Sequence, residues 1–246
     1  MRKIINCVKS IWLAVIYCFF PKLCISCGKT VEENEYLCKE CKKQLEVINP
    51  KKRCKRCGLE KSECLCKMKV FRFDSLVSLY KNSGVAKTAY YKYKLSGKIG
   101  YADYFADELA KAFNNEYKDI KFRGLINVPS SKFSIIRRGY DHTAVICEKL
   151  SEKIGIRYIK NVITCKPFSK SQHKSGYNQR LLNVRGKYRF KRKLRSGNYL
   201  LFDDIVTTGS TADAVSREIL RAGADKVYVL SILQTVPKKK IEKTRH

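Results

Sequence analysis

The chain has 246 residues, with 52 Lys and Arg against 22 Asp and Glu, which gives a formal net charge of +30. The length suits one medium-sized domain plus a small module, and the charge favours partners such as nucleic acid, phosphorylated metabolites or an anionic membrane surface. Eight of the 12 cysteines lie between Cys24 and Cys66, which argues against a secreted disulfide framework. The charge also allows a simpler interpretation, in which the lysines only solvate an ordinary surface.

The first 20 residues combine a basic start with an apolar run. Three basic residues among the first nine precede the run over residues 11–20, as in a secretory signal peptide. The run is too short to span a bilayer as a helix, and Pro21 and Lys22 follow where a signal would have a small-residue cleavage site. We expect a short apolar helix over residues 1–20 that packs on the protein or contacts a membrane surface. A cleaved signal is the alternative.

The cysteines of residues 21–67 occur in closely spaced pairs. Two C-x-x-C pairs about ten residues apart suit a tetrahedral four-cysteine zinc site in a reducing compartment. Pairing in chain order predicts a first cluster of Cys24, Cys27, Cys38 and Cys41, and a second cluster of Cys54, Cys57, Cys64 and Cys66. The second cluster is less regular, because one residue separates its last pair. The spacing predicts one or two structural zinc sites, with disulfides or an iron–sulfur cluster as alternatives.

Strands and helices alternate from about residue 71. Apolar runs predict strands over residues 73–80, 124–129, 157–165, 198–204 and 226–233. Helical spacing predicts helices over residues 83–95, 100–113, 141–154 and 211–224. This alternation predicts a parallel α/β sheet with flanking helices over residues 68–236, followed by a basic tail over residues 237–246.

Residues 166–197 are polar and basic and have no apolar periodicity. A loop of this length inside a compact domain is usually functional. We expect it to close over a ligand site and exclude water, with Gln172, Arg180 and Asn183 as contacts of this lid.

The stretch "NYLLFDDIVTTGST" places two acids at the end of a predicted buried strand and small hydroxyl residues before a predicted helix. Ligands of open parallel sheets bind at the carboxyl ends of the strands, and a helix N-terminus attracts phosphate. Carboxylates accept hydrogen bonds from vicinal hydroxyls, so the pattern predicts a site for a ribose 5-phosphate. The site would comprise Asp203, Asp204, Val206, Thr207, Thr208, Gly209, Ser210 and Thr211. The alternative is an ordinary capped helix after a strand.

Two further basic segments indicate anion contacts. The loop after the strand at 124–129 could receive a pyrophosphate through Ser130, Ser131, Lys132, Arg137 and Arg138. In "TAYYKYKLSGKIGY", Lys92 and Lys94 could follow the phosphates of a single-stranded nucleic acid, with Tyr90, Tyr91 and Tyr93 as stacking faces. Ordinary helix packing is the alternative for these tyrosines.

The acid pair followed by Thr-Thr-Gly-x-Thr resembles the signature with which type I phosphoribosyltransferases bind phosphoribosyl pyrophosphate, PRPP. The resemblance implies that Asp203 and Asp204 hold the ribose hydroxyls, that residues 206–211 hold the 5-phosphate, and that Mg²⁺ accompanies the ligand. The cysteine pairs followed by a domain with this signature resemble the ComF/ComFC family of competence proteins. That resemblance covers nearly the whole chain. "YKLSG" and "SQHKSGYNQRLLNVRGKY" resemble further segments of that family, whereas Asp141, His142 and Leu95 depart from its pattern.

The resemblance implies a type I phosphoribosyltransferase-like sheet behind a double zinc ribbon. It also implies a cytoplasmic role in natural transformation, at the inner face of the membrane, in which the protein handles imported single-stranded DNA beside other uptake proteins. It does not establish a reaction. An active transferase that moves ribose 5-phosphate from PRPP to a base or amine is one alternative, although no general base is evident. A regulator that keeps the fold only as a sensor is another.

Overall fold

The structure is a computed structural model that describes residues 21–64, 66, 69–165 and 188–237. Three expectations from the sequence fall outside these residues: the helix over residues 1–20, the lid contacts Gln172, Arg180 and Asn183, and the tail beyond residue 237. In the part that is described, no helix has the length and apolar character needed to cross a membrane.

Four parallel strands form the central sheet, and a short antiparallel pair lies apart from it. The strands in chain order are β1 (Ser75–Lys81), β2 (Phe122–Asn127), β3 (Ile163–Cys165), β4 (Tyr188–Phe190), β5 (Asn198–Val206) and β6 (Lys226–Gln234). The sheet order is β1-β6-β5-β2, and β3 pairs with β4. β5 and β6 are nearly continuous apolar runs, as expected for parallel strands that are covered on both faces.

Six α-helices accompany these strands in the described residues. They are α1 (Lys39–Lys43), α2 (Gly84–Ser96), α3 (Ala102–Glu116), α4 (Lys132–Arg138), α5 (His142–Ile154) and α6 (Ser210–Arg221). The Asp141 side chain caps α5 by accepting from the N–H groups of Thr143 and Ala144. The predicted fold class is confirmed: a parallel α/β sheet with flanking helices is joined to a small four-cysteine module.

The core has two parts, one on each face of the sheet. Leu200 and Phe202 of β5 pack with α2, α3 and α5, whereas Tyr199 and Leu201 pack with α6. This division follows from the strand period of two. The cysteine module spans both parts, because the first cluster contributes to the α2–α3–α5 side and Cys57 contributes to the α6 side.

The sequence prediction fails in the region before the long polar segment. Of the strand predicted over residues 157–165, only the last three residues form β3, and its partner β4 lies inside the segment predicted to be a loop. Tyr158 instead forms a single bridge to Leu125. Ile159 packs so closely on Gly124 that a Cβ there would lie 2.3 Å from it, which draws this stretch onto the edge of β2.

Candidate functional site

Each set of four cysteines converges on one point, with the sulfur atoms within 4.8 Å of one another. The sulfurs of Cys27 and Cys38 are 3.7 Å apart in the first cluster, and those of Cys57 and Cys64 are 3.6 Å apart in the second. Tetrahedral zinc with bonds of about 2.3 Å to sulfur places its ligands about 3.8 Å apart. Both sets therefore fit zinc, and the two clusters expected from the spacing are confirmed.

The thiols of each cluster differ in how easily they ionise. Burial alone would raise the pKa of Cys24, but hydrogen bonds from backbone N–H groups, that of Cys27 foremost, lower it to about 6. Burial would also raise the pKa of Cys54, but hydrogen bonds from backbone N–H groups, that of Cys57 foremost, lower it to about 7. Burial and the neighbouring thiols raise the pKa of Cys41 to about 12. A divalent cation in the cluster would allow all four thiols to ionise.

Residues 207–211, here called the hydroxyl loop, connect β5 to α6. Gly209 takes a left-handed conformation, with φ +69°, as the N-cap of α6, and it offers no side chain to cap that helix. A Cβ on Gly209 would lie 2.8 Å from the ring of Phe71, so the position requires glycine. Thr208 Oγ1 and Ser210 Oγ are 2.7 Å apart. The loop therefore combines hydroxyl groups with the N-terminus of a 12-residue helix.

Asp204 is held by donors from two helices. Its Oδ2 accepts from Lys94 Nζ at 2.7 Å and from Tyr90 Oη at 2.8 Å, both on α2, and lies 3.1 Å from His142 Nε2 on α5. Burial alone would raise the pKa of Asp204, but the hydrogen bond from His142 and the charge of Lys94 lower it well below its usual value. Asp204 is therefore an ionised carboxylate whose Oδ2 is held by three donors, and its Oδ1 accepts from the Ile205 N–H at 3.0 Å.

Asp203 is in the opposite electrostatic situation. The residue is 5% exposed, and burial together with the charge of Asp204 raises its pKa well above its usual value. Because successive strand residues point to opposite faces, Asp203 faces the α6 side and Asp204 faces α2 and α5. Asp203 also acts on Tyr188 of β4, whose pKa is raised first by burial and then by nearby groups, Asp203 among them. The two acids therefore do not form one matched pair, and the role of each in holding a diol stays a prediction.

The loop after β2 lies beside the end of β5, because the Val128 N–H donates to the Phe202 carbonyl at 2.8 Å. Its serine hydroxyl groups already have protein partners at the starts of α4 and α5. Ser130 Oγ donates to Asp141 at 3.0 Å, and Ser131 Oγ accepts from the Ser134 N–H at the start of α4.

The remaining residues proposed for pyrophosphate lie in α4, which begins at Lys132. Arg137 is exposed and Arg138 is half-buried. The structure brings this loop and the hydroxyl loop to the same edge of the sheet, and the pyrophosphate role of its residues stays a prediction.

The tyrosines of α2 correct one expectation. Tyr90 and Tyr93 are fully buried, so the interpretation of these two rings as stacking faces for bases is wrong. Only Tyr91 of the three is exposed, at 37%. Lys92 donates to the carbonyl of Ser26 in the first cluster, and Lys94 binds Asp204. Both ammonium groups thus have protein partners, and their contact with nucleic acid stays a prediction.

Sequence reasoning missed two contributors to this edge of the sheet. Lys69 donates to Ser210 Oγ at 2.9 Å, although it lies 141 positions earlier in the chain. His142 was noted only as a departure from a family pattern, yet it contacts Asp204. The only signal in the sequence was that Lys69 is a basic residue shortly after a cysteine cluster. No local signal identified His142.

These features define the class of protein. It combines a parallel α/β sheet, which carries a strand–hydroxyl loop–helix unit at one edge, with two four-cysteine zinc clusters that precede the sheet in the sequence. The family model for the double zinc ribbon domain matches residues 15–68. The zinc assignment is therefore supported by both the family model and the cluster geometry.

Relatives of the chain are DNA utilization and competence proteins. It is 24% identical to DNA utilization protein YhgH of Salmonella typhimurium, over 87% of this chain and 91% of that protein. It is 28% identical to the YhgH protein of Escherichia coli O6:H1, where the match spans about half of each chain, 46% and 49%. It is 25% identical to Competence protein F of Haemophilus influenzae, over 43% of this chain and 47% of that protein. The resemblance to ComF-type proteins is confirmed.

Among solved structures, partial overlaps occur with phosphoribosyl enzymes. The glutamine PRPP amidotransferase of B. subtilis overlaps with a TM-score of 0.34 at 16% identity, covering 67% of this chain and 32% of that one. A purine phosphoribosyltransferase from Pyrococcus horikoshii overlaps with a TM-score of 0.33 at 15% identity, covering 53% and 83%. The contacts at the hydroxyl loop, described above, are the basis for the function proposed next.

Proposed function

We propose that the chain binds PRPP with Mg²⁺, or a closely related ribose 5-phosphate, at the carboxyl ends of β5 and β2, and that it uses this site in the handling of DNA. The observation that carries the proposal is the hydroxyl loop. It follows the end of β5, which carries the buried Asp203, and turns through the left-handed Gly209 into the N-terminus of α6. That unit offers a phosphate both N–H groups and hydroxyls.

The remaining contacts of the ligand follow from the neighbouring groups. Asp203, on the same side as α6, would accept from a ribose hydroxyl or hold a hydrated Mg²⁺, which would offset the negative charge of the pyrophosphate. Asp204 would contact a second hydroxyl through Oδ1, which accepts from the Ile205 N–H at 3.0 Å, because Oδ2 already has three donors. The exposed Arg137 would supply positive charge to the pyrophosphate.

The DNA part of the proposal is supported by the charge of +30 and by the names of the relatives. Single-stranded DNA would bind the basic surface through its phosphates, so its affinity should fall steeply with salt. We place this activity in the cytoplasm, next to uptake proteins at the inner membrane face, with residues 1–20 as a peripheral membrane contact. We also propose the division into a double zinc ribbon over residues 21–67 and a sheet domain over residues 68–236.

A second candidate function is phosphoribosyl transfer to a base or amine. A cavity of about 260 Å³ lies between the end of β2, α5 and β3, beside the loop proposed for pyrophosphate, and it favours this reading. Its polar lining includes Asn127, Asp141 and Tyr158, which could hydrogen-bond the edge of an acceptor. Pyrophosphate release in the presence of an acceptor would distinguish transfer from binding alone.

The first test is calorimetric titration of the zinc-loaded protein with PRPP and Mg²⁺, with and without a short single-stranded DNA. We expect PRPP binding that the double variant Asp203→Asn/Asp204→Asn loses while its zinc content is unchanged. A shift in PRPP affinity when DNA is present would support coupling of the two ligands. Equal PRPP affinity in the wild type and the double variant would refute the ligand assignment.

A further inference from the structure

The segment that leads from the second cysteine cluster to the sheet crosses the hydroxyl loop. This segment, residues 69–73, is here called the linker. The ammonium of Lys69 donates to Ser210 Oγ at 2.9 Å and to the Thr208 carbonyl at 3.3 Å. It also lies 4.9 Å from the centre of the Phe71 ring. A cation of the linker, which precedes β1, therefore points into the loop proposed to receive a phosphate.

The linker fits the loop closely. Phe71, 2% exposed, covers Gly209 and stacks on Phe73 with ring centres 4.8 Å apart. The Arg72 N–H donates to Asp213 Oδ1 at 2.6 Å, in the first turn of α6. These contacts fix the chain at Phe71 and Arg72, two and three residues after Lys69, so packing as well as its own side chain positions Lys69 near the loop.

The linker is in turn attached to the second cluster. The Arg56 guanidinium, between Cys54 and Cys57, donates to the Phe71 carbonyl at 2.6 Å. The Gln234 amide, at the end of β6, donates to the Cys57 carbonyl at 2.7 Å. The zinc module therefore reaches the hydroxyl loop through a continuous set of hydrogen bonds and ring contacts.

The ammonium of Lys69 is hydrogen-bonded to uncharged groups. Its two hydrogen-bond acceptors, a hydroxyl and a carbonyl, are both uncharged. The nearby Asp213 accepts from the Arg72 N–H and lies 3.6 Å from the Arg217 guanidinium. Burial lowers the pKa of Lys69, and the charge of Asp213 opposes this only in part. A phosphate in the loop would supply the missing counter-charge.

We propose that Lys69 binds the phosphate group of the ligand in the hydroxyl loop, so that the linker between the zinc module and β1 contributes a residue directly to the site. The inference rests on the proposed function, because it names a further contact of that same phosphate. On binding, the ammonium exchanges its long contact to the Thr208 carbonyl for a phosphate oxygen and keeps Ser210.

The test compares ribose 5-phosphate and PRPP with Mg²⁺ as calorimetric probes of the zinc-loaded full chain. Lys69→Met keeps the apolar stem on Phe71 and removes the charge, and Lys69→Gln keeps a hydrogen-bond donor without charge. Lys69→Arg retains the charge. Lys226→Met is the matched control, because Lys226 is exposed at the opposite end of the same sheet.

We expect Lys69→Met and Lys69→Gln to weaken both probes about 10-fold or more, since a hydrogen bond to a charged group is typically worth that factor. Lys69→Arg should stay within a few-fold of the wild type, and Lys226→Met should match it. The affinity of the two neutral variants should also depend less on salt, which a purely structural role of Lys69 would not produce. If Lys69→Met does not fold, the comparison of Lys69→Gln with Lys69→Arg gives the same answer.

Two negative results are distinct. Wild-type affinity in both neutral variants would overturn the role of Lys69 and leave the proposed site standing, provided that Asp203→Asn/Asp204→Asn still loses binding. Failure of the wild type to bind either probe would refute the proposed function, and the role of Lys69 with it.

Discussion

Lys94 Nζ and Asp204 Oδ2 form an ion pair of 2.7 Å at the carboxyl end of β5, and neither side chain is more than 22% exposed. Tyr90 and His142 complete the set around the same oxygen. Asp204, an acid of the predicted ligand motif, is thus also the centre of a polar cluster that connects α2 and α5 to the sheet. Its loss should affect stability as well as binding.

The ion pair gives the first prediction. Lys94→Met should lower the free energy of unfolding by about 2 kcal/mol, because it leaves a poorly exposed carboxylate without its cation. Adding Asp204→Asn removes that uncompensated charge, so the double variant should be less destabilised than the sum of the two single variants. Urea unfolding of the four proteins measures the coupling, and simple additivity would contradict it.

The second prediction concerns pH and Asp203. Its pKa is raised in the folded protein, so above the unfolded value of about 3.9 the unfolded state releases this proton more readily than the folded state. Asp203 therefore costs stability increasingly as pH rises above about 4, until its folded pKa is passed. Asp203→Asn should lose that dependence. Its advantage over the wild type in urea unfolding should be larger at pH 8 than at pH 5, and a constant difference would show that burial does not raise this pKa.

The third prediction concerns the turn in the hydroxyl loop. Gly209→Ala combines a left-handed φ with a Cβ 2.8 Å from the Phe71 ring, so we expect a loss of about 1–3 kcal/mol in the free energy of unfolding. It should also weaken ribose 5-phosphate, because the loop must shift. Gly100→Ala is the control, since a Cβ there has open space and no positive φ. Equal thermal unfolding of both variants would contradict this account of Gly209.

The fourth prediction separates the two zinc clusters. Cys27→Ser and Cys57→Ser should each reduce the bound zinc from two ions to one, as measured by elemental analysis of the purified protein. Only Cys57→Ser should also weaken ribose 5-phosphate, because the second cluster connects through Phe71 to the hydroxyl loop. Equal effects of the two variants on ligand affinity would contradict that connection.

Much of the fold follows from local pattern. The cysteine spacing predicted both clusters, and the apolar runs at β5 and β6 predicted buried parallel strands. These signals are strong because each depends on neighbours in sequence. The strand expected over residues 157–165 failed because its apolar residues pack on the edge of β2 instead of pairing along a ladder.

The site was less accessible to sequence reasoning, because its contacts join distant positions. Lys94 was expected to follow the phosphates of a nucleic acid, and only the folded sheet shows that it pairs with Asp204, 110 positions later. Tyr90 and Tyr93 alternate with lysines, which suggested a nucleic-acid surface, yet their spacing on α2 turns both rings into the core. A single sequence contains no signal for such pairings.

The strand order has a consequence for how the chain folds during synthesis. β1 pairs with β6 within the sheet, and the second cluster docks through Cys57 on Gln234, 177 positions later. The zinc module and β1 leave the ribosome well before their partner strand, and such long-range pairing makes folding slow. Zinc can bind the cysteines as soon as these emerge, since the ligands of each cluster are close in sequence. The early metal clusters would then keep the first part of the chain ordered until β6 is made and closes the sheet.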